Sequence, residues 1–456
     1  MENLPVKKND EITVKITGLT DECAGVGRFE GFAVFVPYAL PDETVRAHII
    51  KVAKNYAVGK LIEVIDPSPD RVEPVCPHFN KCGACSLLNM DYGAQLKLKR
   101  QIVKDALERI GGFEDIAVEN TVGMENPLRY RNKGSFPFAD TDSGVRWGLY
   151  AARSHRLIPL DDCIIESEAS VAAANAVLEW AKAANVPSYN EETGTGVLRH
   201  VVTRSCTGGT SVCIVTTGKL PERELLVSLL KNAVPGLDSI VHNVNSRRTN
   251  VIWGREFKTV FGSDKTLHEL LGLRFEVSQE SFLQVNTAQT EKLYSLAVGG
   301  LGLTGNENIA DLFCGIGTIT LLIAKNAARV TGIEYVQRAI SDANRNAELN
   351  GISNVSFYAG PAEDILPRLV SKGERFDCIC LDPPRKGCDP NVISAIVESG
   401  AKRIAYVSCN PATLARDLKL LSSCGYSIDK VTPVDMFPYT QHCEVVVSMS
   451  RVGSKL

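Results

Sequence analysis

The sequence lacks an apolar run long enough to cross a membrane. A transmembrane helix needs about 20 mostly apolar residues in succession, and no run of that length occurs among the 456 residues. The opening residues, MENLPVKKNDEI, also lack the apolar centre of a signal peptide. We therefore expect a cytoplasmic protein without membrane association.

A strong net charge is also absent. The 50 Lys and Arg residues nearly balance the 53 Asp and Glu residues, and the formal net charge is −3. This balance does not identify a nucleic-acid-binding protein, although basic residues can still be concentrated on one face. The length exceeds what one hydrophobic core usually serves, so we expect about three domains.

Cysteine, by contrast, is abundant, with 14 residues. Because the cytosol keeps thiols reduced, we expect core residues, metal ligands or reactive groups, not disulfides. Four of them form a candidate metal site and are Cys76, Cys82, Cys85 and Cys163. Four thiolates suit zinc or a 4Fe-4S cluster, and the irregular spacing favours the cluster because structural zinc usually has two close ligand pairs. His78 and His155 are the alternative ligands.

The first part of the chain reads as short strands with alternating apolar and polar residues. They cover residues 12–16, 33–37, 45–50 and 60–65. The residues expected to separate them are Gly18, Gly25, Gly27, Gly31 and Pro41. This pattern predicts a small closed barrel similar to an OB-fold, an architecture often used to bind oligonucleotides. Its candidate contact residues are Lys51, Lys54, Tyr56 and Lys60, with a merely solvated face as the alternative.

The middle of the chain is mixed. Residues 96–110 have helical spacing and residues 210–217 read as a strand. The segment PLRYRNKGSF interleaves Arg129, Arg131 and Lys133 with aromatic residues, which makes it a candidate for RNA contact. An ordinary charged strand is the alternative.

The last part of the chain alternates apolar strand-like runs with helical stretches. The runs are ENIADLF, RVTGIEY, VSFYAG, FDCICLD, RIAYVS and EVVVSMS. Because they do not alternate with polar residues, both faces of each strand should be buried, which predicts a parallel, doubly wound sheet. Ligands of such sheets bind at the carboxyl ends of the strands.

A glycine loop, DLFCGIGTIT, follows the first of these runs. Asp311 ends the strand, Gly315 begins a Gly-x-Gly, and Glu334 ends the next strand, where an acid can hold ribose hydroxyls. The third glycine of a dinucleotide site is missing, because residue 320 is Thr. This absence disfavours NAD and fits S-adenosylmethionine, which has no pyrophosphate.

The segment DPPRKG ends the fourth run. Methylases of exocyclic amines commonly carry an aromatic residue after the two prolines, whereas this chain has Arg385. That absence leaves a ring carbon as the target. Cys409 ends the fifth run, and a helix that starts after it should lower the pKa of the thiol.

A thiolate near a methyl donor suggests a specific reaction. Addition of Cys409 to C6 of uracil would turn C5 into a carbon nucleophile, and a general base must later remove the C5 proton. Glu444 is the candidate base, because it starts the last run and should return to the same edge of the sheet. His442 is the alternative base.

Several motifs together resemble the RNA uracil-5 methyltransferases that use S-adenosylmethionine. They are SCNPATLARD, the HxE segment at 442–444, DLFCGIGT, DPPRKG and FLQVN at 282–286. The resemblance covers nearly the whole chain, and the barrel is similar to the TRAM domain of the ribosomal RNA branch. The cysteine segment is similar to the iron-sulfur motif of that branch.

The resemblance implies roles for single residues. Cys409 would be the nucleophile and Glu444 the base, while Asp382 would lie near both the cofactor and the target base. The residues expected to bind S-adenosylmethionine are Gln284, Phe313, Asp311, Gly315, Glu334 and Asp382. Thr318 is a departure, since some relatives carry Asn there, and it puts one cofactor hydrogen bond in doubt.

We therefore predict an α/β enzyme whose Rossmann-like methyltransferase domain follows a TRAM barrel and a central α+β RNA-binding domain. The predicted segments are 1–67 for the barrel, 68–93 for the cysteine segment, 94–270 for the central domain and 271–456 for the methyltransferase. The expected substrate is a uridine flipped out of 23S ribosomal RNA. The alternatives are a tRNA uracil methylase and a non-catalytic RNA-binding assembly factor. Nothing in the sequence indicates an obligate protein partner.

Overall fold

The computed structural model describes residues 4–453, which form two compact units. The first unit comprises the residues up to Ile102 together with Tyr150–Arg156 and Phe437–His442. The second comprises Val103–Leu149, Leu157–Met436 and the residues from Cys443 onward. Within the described part of the chain, no helix combines the length and the apolar character needed to span a membrane. The four predicted segments stay a prediction.

The first unit contains the barrel that the sequence predicts. Its strands are β1 (Glu11–Leu19), β2 (Ala24–Phe29), β3 (Phe32–Pro37), β4 (Thr44–Val52) and β5 (Tyr56–Asp66). They close in the order β1-β2-β3-β5-β4. Alternate residues of β1 point into the core, including Ile12, Val14 and Ile16. Because alternate residues of the strands face inward, the closed barrel surrounds a single apolar interior.

One prediction about the barrel is wrong. Gly25 and Gly27 do not separate strands but lie inside β2, and Gly18 lies inside β1. A Cβ atom at Gly27 would come within 2.5 Å of the Lys15 carbonyl oxygen, and one at Gly25 within 2.8 Å of the Ala39 carbonyl oxygen. Glycine is needed at these two positions because the neighbouring backbone approaches too closely for a side chain.

A helix follows the cysteine segment. Helix α1 covers Tyr92–Ala106 and continues into a π-helical turn, Leu107–Gly111. Within the first unit, residues just after Cys85 bind the segment before the last strand. The backbone N–H groups of Ser86 and Leu87 both donate to the Tyr439 carbonyl, at 2.9 and 3.0 Å.

The second unit contains a central sheet of seven strands. They are β6 (Lys133–Thr141), β7 (Gly144–Tyr150), β8 (Leu157–Pro159), β9 (Leu198–Cys206), β10 (Gly209–Thr216), β11 (Leu237–Val244) and β12 (Glu256–Gly262). Their order is β12-β11-β10-β9-β6-β7-β8. Helices α2 (Glu168–Ala183) and α3 (Arg223–Ala233) accompany it, and β13 (Lys265–Leu270) with β14 (Leu273–Ser278) forms a separate hairpin.

The last part of the second unit is a second seven-stranded sheet. Its strands are β15 (Asn308–Leu312), β16 (Arg329–Glu334), β17 (Val355–Ala359), β18 (Cys378–Leu381), β19 (Arg403–Ser408), β20 (Tyr426–Val434) and β21 (Glu444–Arg451). Its helices are α4 (Thr287–Gly300), α5 (Thr318–Ala324), α6 (Gln337–Leu349), α7 (Ala362–Ser371), α8 (Pro390–Ser399) and α9 (Pro411–Ser423). The order β17-β16-β15-β18-β19-β21-β20 confirms the doubly wound sheet.

The sequence pattern predicts a parallel sheet, but two of its strand pairings are antiparallel. Strand β21 pairs antiparallel with β19, so that Ser408 lies opposite Val445. Strand β20, which the pattern did not reveal, pairs antiparallel with β21. Because β21 runs backwards, its first residue lies at the edge where the parallel strands end. The reversal therefore brings Glu444 to the edge that holds Cys409.

Candidate active site

The glycine loop lies between β15 and α5 and has an unusual backbone. Phe313, Gly315 and Gly317 have φ angles of 65°, 55° and 85°. A Cβ atom at Gly315 would meet nothing within 4 Å, whereas one at Gly317 would meet Ala343 and Phe357 at 3.3 Å. Gly317 is therefore required by packing and by the left-handed turn before α5. Gly315 instead exposes open backbone, as close approach of a cofactor requires.

Glu334 holds this loop from the end of the neighbouring strand. Its carboxylate accepts hydrogen bonds from the N–H of Gly315 at 3.1 Å and from the N–H of Val336 at 2.9 Å. The carboxylate of a ribose-binding residue is expected at this strand end. An open glycine backbone beside a fixed carboxylate fits S-adenosylmethionine.

Thr320 has a role that the sequence analysis missed. Its hydroxyl donates to the carboxylate of Asp311 at 2.5 Å, and both side chains are buried. Burial raises the pKa of Asp311 to about 7, against the lowering effect of the Thr320 hydrogen bond. Thr320, which stands where a dinucleotide site has its third glycine, thus binds Asp311. The signal in the sequence is a threonine nine residues after an acid at the end of a strand.

Gln284 is buried in the segment between β14 and α4. The side-chain amide of Asn132 donates to the Gln284 carbonyl at 3.0 Å and to the Thr287 hydroxyl at 3.0 Å. The start of the central sheet and this segment are thereby linked within the second unit. Cofactor binding stays a prediction for all six residues of the predicted set, which are Gln284, Phe313, Asp311, Gly315, Glu334 and Asp382.

Cys409 is half-buried at the end of β19. The prediction of a lowered pKa is wrong, because the pKa of the thiol is raised to about 11 by burial and by the nearby carboxylates of Glu444 and Asp382. Arg385 acts in the opposite direction. The prediction considered only the start of α9, whereas burial, followed by two acids from other strands, determines the direction of the shift.

Glu444 and Asp382 form a buried acidic pair at the same edge. Burial and the negative charge of Asp382 raise the pKa of Glu444 to about 8, while Arg385 lowers it. Burial raises the pKa of Asp382 to about 6. One carboxylate oxygen of Glu444 is buried without a hydrogen-bond partner. A buried acceptor that the fold leaves unused is what a general base needs in order to take a proton.

The loop that carries Asp382 and Arg385 is tied to the helix after Cys409. The Asn410 amide donates to the Arg385 carbonyl at 3.2 Å, and the Thr413 hydroxyl donates to the same carbonyl at 3.1 Å. The buried carboxylate of Asp417 accepts from the Cys388 N–H at 2.8 Å. These bonds hold the acid-bearing loop and the nucleophile-bearing turn in one arrangement.

Thr318, the departure from the family pattern, begins α5. Its hydroxyl lies 3.5 Å from the hydroxyl of Tyr294 on α4, and both residues are buried. Burial and the charges of Asp382, Asp311 and Glu444 raise the pKa of Tyr294. The phenol therefore stays neutral beside the acidic group of residues.

Two of the three predicted RNA-binding residues have acidic partners within the second unit. Arg129 makes two hydrogen bonds of 2.7 Å to the Asp162 carboxylate, and Arg131 binds Glu166 at 3.0 Å. Burial, with the charges of neighbouring arginines, lowers the pKa of Lys133 to about 8. RNA contact by these residues stays a prediction.

The predicted metal ligands lie in both units. Cys76, Cys82 and Cys85 are half-buried in the first unit, where burial raises the pKa of Cys82 and the Cys76 thiol adds to the effect. Cys163 is buried in the second unit. Among residues 4–453, no three His, Cys, Asp or Glu side chains are grouped as ligands of one metal ion. The ring of His155, an alternative ligand, stacks on Tyr150.

The fold and the site define the class of S-adenosylmethionine-dependent methyltransferases. A family model described as tRNA (Uracil-5-)-methyltransferase matches residues 264–452, and a TRAM domain model matches residues 5–62. An uncharacterized RNA methyltransferase of Halalkalibacterium halodurans is 46% identical over 97% of this chain and 97% of its own. One of Clostridium tetani is 43% identical over 99% of each chain. The chain belongs to the RNA uracil-5 methyltransferase family.

A solved structure agrees with this assignment. It is the tRNA (uracil-54, C5)-methyltransferase of Pyrococcus abyssi in complex with S-adenosyl-L-homocysteine. The two chains are 27% identical, with a TM-score of 0.78 over 96% of this chain and 100% of the other. The barrel and the methyltransferase domain predicted from the sequence are thereby confirmed.

Proposed function

We propose that the enzyme methylates C5 of specific uridines in 23S ribosomal RNA through a covalent bond between Cys409 and C6. The observation that carries the proposal is the grouping of Cys409, Asp382 and Glu444 at one edge of the sheet, where both acids raise the pKa of Cys409 and Asp382 raises that of Glu444. The glycine loop follows β15, which pairs with β18, the strand that precedes Asp382.

The chemistry explains why this grouping is needed. C5 of uracil is a weak nucleophile, and addition of the Cys409 thiolate to C6 moves electron density onto C5 and O4. S-adenosylmethionine would supply an electrophilic methyl group to C5 as its S–CH3 bond breaks, with S-adenosylhomocysteine as the leaving group. After C5 has been methylated, Glu444 removes the C5 proton, the ring double bond re-forms, and the C6–S bond breaks to release Cys409.

The two acids can divide the proton transfers between them. Burial raises the pKa of both Asp382 and Glu444, and the charge of Asp382 raises that of Glu444 further. Two neighbouring buried carboxylates do not ionise independently, so that one can be charged while the other holds a proton. We assign removal of the thiol proton to Asp382, and removal of the C5 proton to Glu444, which must itself be ionised to act as the base.

A tRNA is the second candidate substrate. The barrel and the cysteine segment both disfavour it, but the Pyrococcus abyssi enzyme, named for tRNA uracil-54, aligns with 96% of this chain. An alignment of that length includes most of the barrel region, so the barrel does not separate the two substrates. The cysteine segment is then the feature that favours ribosomal RNA.

Methyl incorporation into purified RNA distinguishes these substrates. We expect labelled methyl groups from S-adenosylmethionine to enter unmodified 23S ribosomal RNA, with 5-methyluridine as the product in nuclease digests. Unmodified tRNA, added at the same concentration, should accept at least tenfold less label. The reverse preference would assign the enzyme to tRNA, and no label in either RNA would contradict the proposed activity.

We further propose that Cys76, Cys82, Cys85 and Cys163 bind a 4Fe-4S cluster. Each thiolate of such a cluster binds a different iron, so its ligands need not converge on one ion. Burial and, to a smaller extent, the thiols of Cys82 and Cys85 raise the pKa of Tyr38. Both thiols therefore lie near the same side chain of the first unit, which supports the proposal. With four thiolates bound, the cluster has a structural task.

Replacing Cys82 by Ser tests the cluster. Anaerobically purified wild-type protein is expected to contain about four iron and four sulfide ions per chain, and the variant less than half of that. Cys424→Ser is the matched control, since Cys424 is an exposed thiol outside the ligand set. If the purified wild-type protein contains zinc and no iron, the proposed cluster is wrong and the four cysteines bind zinc.

A further inference from the structure

A loop on the central sheet presents a basic surface that the sequence motifs do not reveal. Residues 245–255, NSRRTNVIWGR, join β11 to β12 and contain three arginines and no acidic residue. Arg247, Arg248 and Arg255 are all exposed. We call these residues the arginine loop.

A buried arginine from β9 holds the arginine loop in shape. Arg199 is only 3% exposed. Its guanidinium donates to the carbonyls of Asn245, Arg247 and Thr249 at 3.0, 2.7 and 2.9 Å. The same group lies 4.3 Å from the ring centroid of Tyr189. Arg199, which is buried against Tyr189, therefore fixes three carbonyls of the arginine loop.

Two buried asparagines bind the rest of the loop. The Asn245 amide donates to the carbonyls of Val251 and Ile252 at 2.7 and 2.9 Å. Asn243 accepts from the Gly254 N–H at 2.7 Å and donates to the Gly254 carbonyl at 3.2 Å. Burying polar side chains is costly unless their hydrogen bonds are made. Because these buried side chains make their hydrogen bonds to the backbone of the arginine loop, they hold the loop in one conformation.

Two apolar residues of the arginine loop face inward. Ile252 and Trp253 pack on a buried cluster of the central sheet that includes Val202 and Val241. The exposed residues are Ser246, the three arginines, Asn250 and Val251. A rigid loop with guanidinium groups outside and apolar anchors inside is a surface for binding, since loops held by a scaffold commonly carry function.

The arginine loop lies far along the sheet from the candidate active site. Leu198 of β9 pairs with Thr216, which pairs with Val244 just before the loop. At the other end of β9, Arg204 pairs with Lys133, whose neighbour Asn132 binds the Gln284 segment. The seven residues from Leu198 to Arg204 span about 20 Å of strand.

We propose that the arginine loop binds the phosphodiester backbone of the RNA substrate at a distance from the flipped uridine. The inference rests on the proposed function only in that the substrate is RNA. Arg247 and Arg255 form no ion pair within the described residues, whereas Arg248 donates to the Thr193 carbonyl beside the exposed acids Glu191 and Glu192. Guanidinium groups bind phosphate oxygens in pairs of hydrogen bonds, and such contacts position an RNA without reading its sequence.

The test compares salt dependence of RNA binding. In a variant with Arg247→Gln, Arg248→Gln and Arg255→Gln, the slope of log K against log salt should fall by about 2 to 3, since each phosphate contact contributes roughly 0.7 to 0.9. With full-length 23S ribosomal RNA, KM should rise at least tenfold while kcat stays within twofold. The matched control carries Arg368→Gln, Lys372→Gln and Lys419→Gln, which removes three exposed cations elsewhere in the second unit.

The two variants make the outcome unambiguous. Equal slopes for the arginine-loop variant and the control would overturn the inference, as would a loss of kcat without a change in KM. Circular dichroism and thermal unfolding of both variants show that folding is retained. Binding of bulk tRNA is measured in parallel, so that a fall in slope without methylation of ribosomal RNA supports the arginine loop while it contradicts the proposed substrate.

Discussion

Replacement of Cys409 by Ala is expected to lower methyl transfer to RNA by roughly 10⁴-fold or more, as removal of a nucleophile does. The reason is that no other group can activate C5 of uracil once the C6 adduct is lost. The affinity for S-adenosylmethionine should stay within twofold, because Cys409 lies on β19 whereas the glycine loop follows β15. The measurement pairs a labelled-methyl assay with calorimetric titration of the cofactor.

Cys424→Ala is the control for this experiment, since Cys424 is an exposed cysteine in the second unit. It should methylate RNA at the wild-type rate. Substantial methylation by the Cys409→Ala variant would remove Cys409 from its role. If that variant also lost cofactor affinity, the loss of activity would reflect damage to the pocket and not to the nucleophile.

The raised pKa of Cys409 changes what its activation requires. With a pKa of about 11, only about one thiol in 10⁴ is ionised at pH 7. A thiolate of high pKa is also the stronger nucleophile once it forms. Removal of the thiol proton as the S–C6 bond forms is therefore the efficient route, and Asp382 is the acid that we propose as the acceptor of this proton.

The sequence located the site residues but not their electrostatics. Strand ends follow from apolar runs and the carboxyl-end rule, so Cys409, Asp382 and Glu334 could each be placed at one edge of the sheet. The pKa of Cys409 could not, because the acids that raise it come from β18 and β21, which only the folded sheet brings near. A rule for a single helix start does not include charges that are distant in sequence.

Other features escaped prediction for similar reasons. Strand β20, with the sequence YSIDKVTPV, carries charged residues and a proline, so its pattern resembles a loop. Arg199 has no local feature that indicates its hydrogen bonds to a loop 46 to 50 residues later. Hydrophobic periodicity identifies buried strands, whereas polar contacts between distant segments depend on the sheet order.

Replacement of Glu444 by Gln should trap the enzyme on its RNA. Without the base, the C5 proton of the methylated intermediate stays in place and the C6–S bond does not break. We expect a protein-RNA species that survives denaturing electrophoresis, and a fall in turnover of ~10² to 10⁴-fold, the usual contribution of a general base. The species should contain one labelled methyl group per chain.

Matched variants define the origin of the trapped species. Glu398→Gln changes an exposed acid of α8 and should show normal turnover without a persistent adduct. The double variant of Cys409→Ala with Glu444→Gln should form no adduct, because the attacking sulfur is gone. Normal turnover by Glu444→Gln would place the base elsewhere, with His442→Asn as the next variant.

The pH dependence provides an independent measurement of the same role. Glu444 is active as the carboxylate, and its pKa is raised to about 8 by burial and by Asp382. Wild-type turnover should therefore rise as pH increases from 6 through 8, and level off about one unit above the pKa of Glu444, where that group is ionised. In the Glu444→Gln variant the rate of adduct release should not show this rise. A wild-type profile that is flat over this range would mean that loss of the C5 proton does not limit turnover or that Glu444 is not the group that removes it.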